Sequence, residues 1–132
     1  MALAEGQKTD PKTVLIVDDE DPIRQIGSQM LARMGHAALT AADGNEALAV
    51  LERHKESVDV VLFDMRMPGL SGVALLERMQ AVKGGLKFIL SSGFGRDSEA
   101  SAIMAKGCSG FIQKPIRMAD LAKAIEEVFA GA

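Results

Sequence analysis

The sequence contains no tryptophan and no tyrosine, and Cys108 is its single cysteine. A lone cysteine excludes an internal disulfide and fits the reducing cytosol, so we expect a cytoplasmic protein. The net charge is −3, whereas nucleic-acid-binding domains carry basic patches, so we expect no nucleic-acid partner. No apolar run approaches the ~20 residues that span a bilayer, and no signal-peptide pattern is present, so we expect no direct membrane contact.

Hydrophobic residues make up 48% of the sequence and charged residues 25%, which is ordinary for one soluble globular domain. Residues 1–12 are mostly polar and show no hydrophobic period. We interpret residues 1–12 as a disordered leader or linker and residues 13–132 as the folded domain. Within that domain His36 and His54 stand in polar or weakly apolar surroundings, and we expect both to be exposed.

Short apolar runs alternate with segments of helical periodicity along the rest of the chain. The five runs are Val14–Val17, His36–Ala41, Val58–Phe63, Lys87–Leu90 and Gly110–Ile112. Each run is followed by a helical pattern, and no hairpin signal joins two of them. This βα alternation predicts an α/β fold, a doubly wound five-stranded parallel sheet with helices on both faces.

Two of the predicted helices carry specific expectations. In the first helix, Asp21 is the expected N-cap, Pro22 the first helical residue and Ile26 part of the inner face. The fourth helix, about residues 98–106, has only Ile103 and Met104 as large apolar anchors. We therefore expect the fourth helix to be the least firmly packed.

Residues capable of chemistry follow four of the five predicted strands. They are Asp18 and Asp19 after the first strand, Asp64 after the third, Ser91 and Ser92 after the fourth, and Lys114 shortly after the fifth. In a parallel sheet these strand ends lie on one edge, where open α/β sheets bind their ligands. We therefore expect acidic, hydroxyl and lysine side chains to form one site.

Three carboxylates in one small cleft repel one another, and at least one of them would have a raised pKa. A hard divalent cation removes this conflict, and Mg²⁺, with Mn²⁺ as a substitute, suits carboxylates, a backbone carbonyl and retained waters. We expect Asp19 and Asp64 to be direct ligands and Asp18 to act through a water. The carbonyl of Arg66 is the expected further ligand.

Next to such a cation, Asp64 can attack a phosphoryl group as an already ionised nucleophile and form an acyl phosphate. Lys114 supplies a full positive charge to the transferred oxygens, and the Ser92 hydroxyl supplies a neutral donor. Each feature alone has a structural alternative, because acidic runs often cap helices and a serine or lysine is common in loops. Their joint occurrence at strand ends favours the chemical interpretation.

These residues resemble the receiver domain of two-component response regulators over residues 13–129. The motifs that carry the resemblance are Leu15–Glu20, Phe63–Gly69, Ser92–Gly93 and Gly110–Pro115. The resemblance implies a flavodoxin-like sheet with strand order 2-1-3-4-5. It also implies a cis peptide before Pro115, which is otherwise a minority state of X–Pro bonds.

Position by position, the resemblance makes Asp64 the phosphoacceptor for a histidine kinase or a histidine phosphotransfer protein. Asp18 and Asp19 become the Mg²⁺-binding pair, Ser92 the switch hydroxyl and Lys114 the phosphate-binding lysine. Ser91 offers a competing hydroxyl, but the spacing to the lysine favours its neighbour. A domain of this kind catalyses only its own phosphorylation and dephosphorylation, although a parent protein could be a histidine kinase.

The resemblance also implies a switch, in which phosphorylation draws Ser92 inward and Phe111, the switch aromatic, moves from an exposed rotamer into the vacated space. The surface of the fourth helix, fifth strand and fifth helix would then change shape, and this surface could support a weak dimer. Arg66 and Phe94 stand at the two positions that tune hydrolysis of the acyl phosphate.

Three alternatives belong to other functional classes. A phosphatase of the haloacid dehalogenase type would carry Asp-x-Asp after its first strand, but here the nucleophile follows the third strand and Arg66 replaces the second acid. A flavodoxin-like electron carrier would need a glycine- and hydroxyl-rich loop where this chain has Asp18–Asp21. A degenerate receiver that only binds proteins is disfavoured by the complete set of site residues.

Two parent proteins are compatible with the resemblance. The segments at Ser91–Phe94 and Gly110–Pro115 look like receivers at the C-terminus of hybrid sensor histidine kinases. A stand-alone single-domain response regulator is the second option. We favour the hybrid kinase as the origin of this domain.

Overall fold

The computed structural model describes residues 10–67, 70–93 and 98–130. In chain order the elements are β1 (Thr13–Val17), α1 (Asp21–Arg33), β2 (Ala37–Ala41), α2 (Gly44–His54), β3 (Val60–Asp64), α3 (Gly72–Val82), β4 (Lys87–Ser92), α4 (Ser98–Ala105), β5 (Gly110–Gln113) and α5 (Met118–Ala130). Most of the predicted leader, residues 1–9, lies outside the described residues. Within the three described ranges, no helix has both the length and the apolar character needed to cross a membrane.

The five strands form one parallel sheet in the order β2-β1-β3-β4-β5, as predicted. The central strand β3 pairs with β1 and β4, and all of its residues are buried. Burial on both faces explains its continuous apolar run, because a parallel sheet covered by helices has no solvent face. The run ends in Asp64, which pairs in register with Ser91.

Two hydrophobic clusters cover the two faces of the sheet. On one face, residues of α2, α3 and α4 pack on alternate strand residues, and Phe63 meets Phe88 edge to face at 6.3 Å between ring centroids. On the other face, Leu31 of α1 and Leu121 of α5 pack on the intervening strand residues. Each strand thus contributes to both cores by the twofold alternation of its side chains.

Helix α1 differs in two respects from the prediction. It begins at Asp21 with Glu20 as the N-cap residue, one position earlier than expected, and no side chain caps it. The prediction that Ile26 faces the core is wrong, because Ile26 is 46% exposed. Gly27 faces the sheet instead, and a Cβ added there would lie 2.9 Å from Ile16 Cδ1. The close approach of helix and strand at a glycine turns Ile26 toward solvent.

Helix α4 is short and ends at Ala105, one residue before the predicted end. Ile103 is buried and Met104 partly buried, as expected of its two large anchors. Ile103 packs against the start of α3, where a Cβ added at Gly72 would lie 2.7 Å from Ile103 Cδ1. The expectation that α4 is the least firmly held helix stays a prediction.

The two histidines differ from each other in burial. His54 is exposed, as predicted, but the same prediction for His36 is wrong, since His36 is buried. Its Nδ1 accepts a hydrogen bond from the backbone N–H of Lys12 at 2.9 Å. Burial lowers the pKa of His36, the Lys12 ammonium lowers it further, and the Asp59 carboxylate opposes both. The neutral ring therefore acts as an acceptor where the chain enters β1.

Candidate functional site

Side chains from four strand ends meet at the carboxyl edge of the sheet. Asp18 follows β1, Asp64 ends β3, Ser92 ends β4 and Lys114 follows β5. Lys114 Nζ lies 2.9 Å from Asp18 Oδ2 and 3.2 Å from Asp64 Oδ1. The predicted convergence of acidic and lysine side chains is therefore confirmed, and it follows from the parallel direction of the strands.

The three groups of this ion network are shielded from solvent. Asp18 is 1% exposed and Asp64 7%, while the Lys114 side chain is 15% exposed. Burial raises the pKa of Asp64, and this effect outweighs the attraction of Lys114; the neighbouring carboxylates of Asp18 and Asp19 raise it further. Burial alone would lower the pKa of Lys114, but its hydrogen bonds and attraction to both carboxylates raise it overall. Burial thus disfavours the ionised form of Asp64, and additional positive charge beside it would stabilise that form.

Asp18 is held by protein groups at four of its atoms. Its backbone N–H donates to Ala41 O at 3.1 Å, and its carbonyl accepts from Arg24 Nη1 at 2.7 Å. Its Oδ1 accepts from the Glu20 backbone N–H at 2.9 Å, and its Oδ2 accepts from Lys114. Asp18 therefore has a structural as well as an electrostatic part in the loop that follows β1.

The next two acids, Asp19 and Glu20, are exposed beside it. One carboxylate oxygen from each of Asp18, Asp19 and Glu20 lies within 4.8 Å of the other two. Glu20 Oε2 is also 3.6 Å from Lys114 Nζ. Sequence reasoning missed Glu20 as a member of the site, although the acidic run continues through it. Three oxygen donors at this spacing fit the chemistry that a hard cation such as Mg²⁺ requires.

A cavity of about 210 Å³ opens at this edge. Its lining residues are Glu20, Asp64, Arg66, Ser92, Gly93 and Lys114. Because a water occupies ≈ 30 Å³ in the liquid, the cavity has room for a group of several heavy atoms. The Asp64 carboxylate, the Lys114 ammonium and Ser92 line the same space, which is the arrangement that transfer of a small anionic group needs.

The two adjacent serines are distinguished by their surroundings. The Ser91 hydroxyl donates to the carbonyl of Phe63 at 3.4 Å, inside the sheet. Ser92 lines the cavity with Asp64, and its carbonyl accepts a hydrogen bond from the Lys114 backbone N–H at 2.8 Å. The structure therefore places Ser92, the serine chosen from the sequence, next to the cavity.

The loop after β3 contacts α4 through an ion pair. Arg66 Nη2 lies 3.4 Å from Glu99 Oε1, and both side chains are more than half exposed. Arg66 also lines the cavity, so its guanidinium side chain lies between the site and α4. Its predicted role as a carbonyl ligand stays a prediction, and Phe94 lies outside the described residues.

Phe111 is half-buried in β5, opposite Leu90 of β4, rather than fully exposed. It packs against the core on the α4 side of the sheet and lines a separate cavity beside α5. The peptide between Lys114 and Pro115 is cis, as the resemblance implies. Pro68 and Gly69, at the end of the motif that begins at Phe63, lie outside the described residues.

Comparison with known proteins agrees with this geometry. A family model described as the response regulator receiver domain matches residues 14–126. The chain belongs to the response regulator receiver domain family. Membership removes the phosphatase and flavodoxin-like alternatives, both of which belong to other families.

Three similar proteins indicate the range of contexts in which this receiver fold occurs. The receiver is 36% identical to the sensor kinase CckA of Brucella abortus over 116 residues, covering 88% of this chain but only 12% of the kinase. It is 28% identical over 114 residues to sporulation initiation phosphotransferase F of Bacillus subtilis, of which it covers 90%. It also resembles a chain in the crystal structure of the CheX–CheY–BeF₃–Mg²⁺ complex of Borrelia burgdorferi, with a TM-score of 0.83, 30% identity and 90% of each chain covered.

Proposed function

We propose that this receiver accepts a phosphoryl group on Asp64 from a phosphohistidine of a histidine kinase or a histidine phosphotransfer protein. The observation that carries the proposal is the position of Lys114 Nζ, within 3.2 Å of the Asp64 carboxylate and 2.9 Å of Asp18. A buried carboxylate beside a fixed ammonium, at the mouth of a cavity, is a nucleophile with a charge-neutralising partner already in place.

The transfer exchanges one bond to phosphorus for another. An oxygen of the Asp64 carboxylate attacks phosphorus while the P–N bond to the donor imidazole breaks, and the electron pair of that bond stays on the imidazole nitrogen. The product on this chain is an acyl phosphate, and no base is needed because the attacking carboxylate carries no proton. Lys114 and the Ser92 hydroxyl are the donors for the transferred oxygens.

Asp18, Asp19, Asp64 and the carbonyl of Arg66 are the residues that would hold Mg²⁺, and the position of Glu20 adds a further carboxylate to this set. When bound, Mg²⁺ would offset the charge of the clustered carboxylates and of the entering phosphoryl group. The oxygen-only donor set supports this choice over softer metals. Since both Oδ atoms of Asp18 already accept hydrogen bonds, we assign Asp18 the indirect role and Asp19 the direct one.

The phosphoryl group adds about two negative charges and three acceptor oxygens next to Ser92. We expect Ser92 to donate to one of these oxygens and Phe111, which is half-buried one strand away, to change its packing. The signal would leave the domain through the surface of α4, β5 and α5. We expect α4 to be the moving part of this surface, because it has only eight residues and its ion pair with Arg66 is exposed to solvent.

Labelling with acetyl phosphate and Mg²⁺ tests the assignment. Asp64→Asn should abolish covalent label, while Asp43→Asn, which keeps a competent N-cap at the start of α2, should label like the unaltered protein. If Asp64→Asn still takes up label, the assignment of Asp64 as the phosphoacceptor is wrong. An unlabelled wild type that still binds a kinase would instead favour the binding-only alternative.

Comparison of free and beryllofluoride-bound protein by NMR tests the switch. We expect shifts in α4, β5 and α5 and a change in the Phe111 ring signals. Unchanged signals throughout these elements would contradict the proposed output surface. Unchanged α1 and β2 signals remote from the acidic residues serve as the internal reference.

The parent protein is a separate part of the proposal. The chain covers only 12% of the sensor kinase CckA, but it covers 90% of sporulation initiation phosphotransferase F. We favour a hybrid sensor histidine kinase, acting in the cytoplasm, with a stand-alone response regulator as the second candidate. An immunoblot of the endogenous protein separates them, because a hybrid kinase would be several times heavier than the 14.0 kDa domain.

A further inference from the structure

Arg24, in the first turn of α1, is fixed between two acceptors beside the site. Its Nη1 donates to the backbone carbonyl of Asp18 at 2.7 Å, and its Nη2 lies 2.7 Å from Asp21 Oδ1. The Arg24 side chain is 18% exposed, whereas that of Asp21 is 69% exposed. A largely buried guanidinium with both ends hydrogen-bonded has a single orientation, because its donors form a rigid planar fork.

The carbonyl that Arg24 holds controls the direction of the residues that follow it. The peptide group joining Asp18 to Asp19 is planar, so fixing the Asp18 oxygen also fixes the plane that carries the Asp19 nitrogen. The Asp18 side chain fixes the next step, since its Oδ1 accepts from the Glu20 N–H at 2.9 Å. The backbone N–H groups of Ile23 and Arg24 donate to Glu20 O at 3.1 and 3.2 Å, as at the start of a helix. The Arg24 side chain adds a hydrogen bond from α1 to the other end of the acidic loop, Asp18–Glu20.

We propose that Arg24 is a positioning residue that holds the acidic loop in the conformation in which Asp19 and Glu20 present their carboxylates to a divalent cation. The proposal rests on the proposed function, because it assumes that this loop binds the cation. Arg24 acts through the Asp18 carbonyl and not by contact with the cation or the phosphoryl group. Partners of this kind, one step behind the ligands, typically change metal affinity when they are removed.

The sign of the effect separates positioning from simple charge. A guanidinium next to an acidic loop repels an incoming cation, so removal of its charge alone should strengthen Mg²⁺ binding. Removal of the hydrogen bond to the Asp18 carbonyl should instead weaken Mg²⁺ binding, because the loop gains alternative conformations that must be lost again on binding. The two roles therefore predict opposite changes.

Calorimetric titration of the unphosphorylated protein with Mg²⁺ measures this sign. We expect Arg24→Met to weaken Mg²⁺ binding by roughly 10-fold, the lower end of the range for residues behind a metal ligand. Arg33→Met is the matched control, since it removes the same charge from the last turn of the same helix. The control should leave the affinity unchanged.

Amide hydrogen exchange without metal gives a second and independent readout. The Glu20 N–H, which donates to Asp18 Oδ1, should exchange faster in Arg24→Met and at the wild-type rate in Arg33→Met. Unchanged or tighter Mg²⁺ binding in Arg24→Met, or an unchanged Glu20 exchange rate, would overturn the proposal. Because neither readout uses phosphorylation, a failure of the Asp64 labelling experiment leaves both results interpretable.

If Arg24→Met does not fold, the unaltered protein still decides the question. Slow rotation of the Arg24 guanidinium should give resolved Nη proton signals by NMR, and these should shift on saturation with Mg²⁺. A single averaged Nη signal that does not respond to Mg²⁺ would contradict a fixed positioning residue.

Discussion

Titratable side chains are buried at both edges of the sheet, but their hydrogen-bond partners differ. At the carboxyl edge, one lysine serves two buried carboxylates, and Asp64 keeps a raised pKa. At the amino edge, His36 Nδ1 accepts from the Lys12 N–H, and Asp59 Oδ2 accepts from the Thr13 N–H at 2.8 Å. The amino edge uses its side chains to satisfy the backbone at the entry to β1.

This contrast separates a functional cluster from a structural one. Groups that each accept a backbone hydrogen bond are satisfied without a ligand, and their loss changes stability first. Groups of like charge forced together around one counter-ion are stable only at a cost, which a ligand of the opposite charge relieves. Changes at the carboxyl edge should therefore affect chemistry most, and changes at the amino edge should affect folding most.

The largest expected effect is that of Lys114→Met on phosphorylation. The substitution removes the ammonium from within 3.2 Å of Asp64, so we expect labelling by acetyl phosphate to slow about 100-fold or more. Lys106→Met is the control, because Lys106 is exposed and pairs with Glu77 at 3.9 Å. Labelling of Lys114→Met at a rate near that of the control would remove the distinction between the two edges.

A smaller effect is expected from Asp64→Asn on stability. The folded-state pKa of Asp64 is raised from its ordinary value of 3.8, so the ionised carboxylate opposes folding at pH above that raised pKa. Asp64→Asn should therefore unfold at higher urea concentration than the unaltered protein at neutral pH without Mg²⁺. The difference should shrink as pH falls through the raised pKa toward 3.8, and also when Mg²⁺ is added. A less stable Asp64→Asn at neutral pH would contradict the strained carboxyl edge.

The smallest effect concerns His36 and mild acid. Its folded-state pKa lies below the ordinary 6.5, so its contribution to stability is fully present above 6.5 and is lost as pH falls from there through the folded-state value. His36→Asn, which can retain an acceptor but does not titrate, should flatten this part of the urea-unfolding profile. His54→Asn, at an exposed histidine, should keep the wild-type slope. A flat wild-type profile below pH 6.5 would show that His36 is not held neutral.

Much of the fold and most of the site follow from local patterns. Apolar runs that end in Asp18, Asp64 or Ser92 predict both the strands and the edge at which they end, because parallel strands share one direction. The selection of Ser92 over Ser91 agrees with the cavity, since the two side chains of adjacent strand residues point to different surroundings.

The predictions that were wrong, for Ile26 and His36, concern side chains whose burial depends on how closely two parts of the fold approach each other. Ile26 has the spacing of a core residue, yet Gly27 allows α1 to approach Ile16 of β1 and turns Ile26 outward. His36 is buried where it meets Lys12, a distant residue in the sequence, whose backbone N–H donates to His36 Nδ1. Neither the approach of α1 to β1 nor the contact between Lys12 and His36 can be predicted from the periodicity of apolar residues.

Local sequence patterns are sufficient to predict the parallel βα order, and with it the meeting of Asp18, Asp64 and Lys114, because strand direction follows from the alternation of elements. The position of Glu20 in the acidic group and the hydrogen bond from Arg24 to the Asp18 carbonyl are visible only in the folded domain. These contacts depend on the rotation and approach of helix α1, which the packing of the whole domain sets and no local pattern encodes.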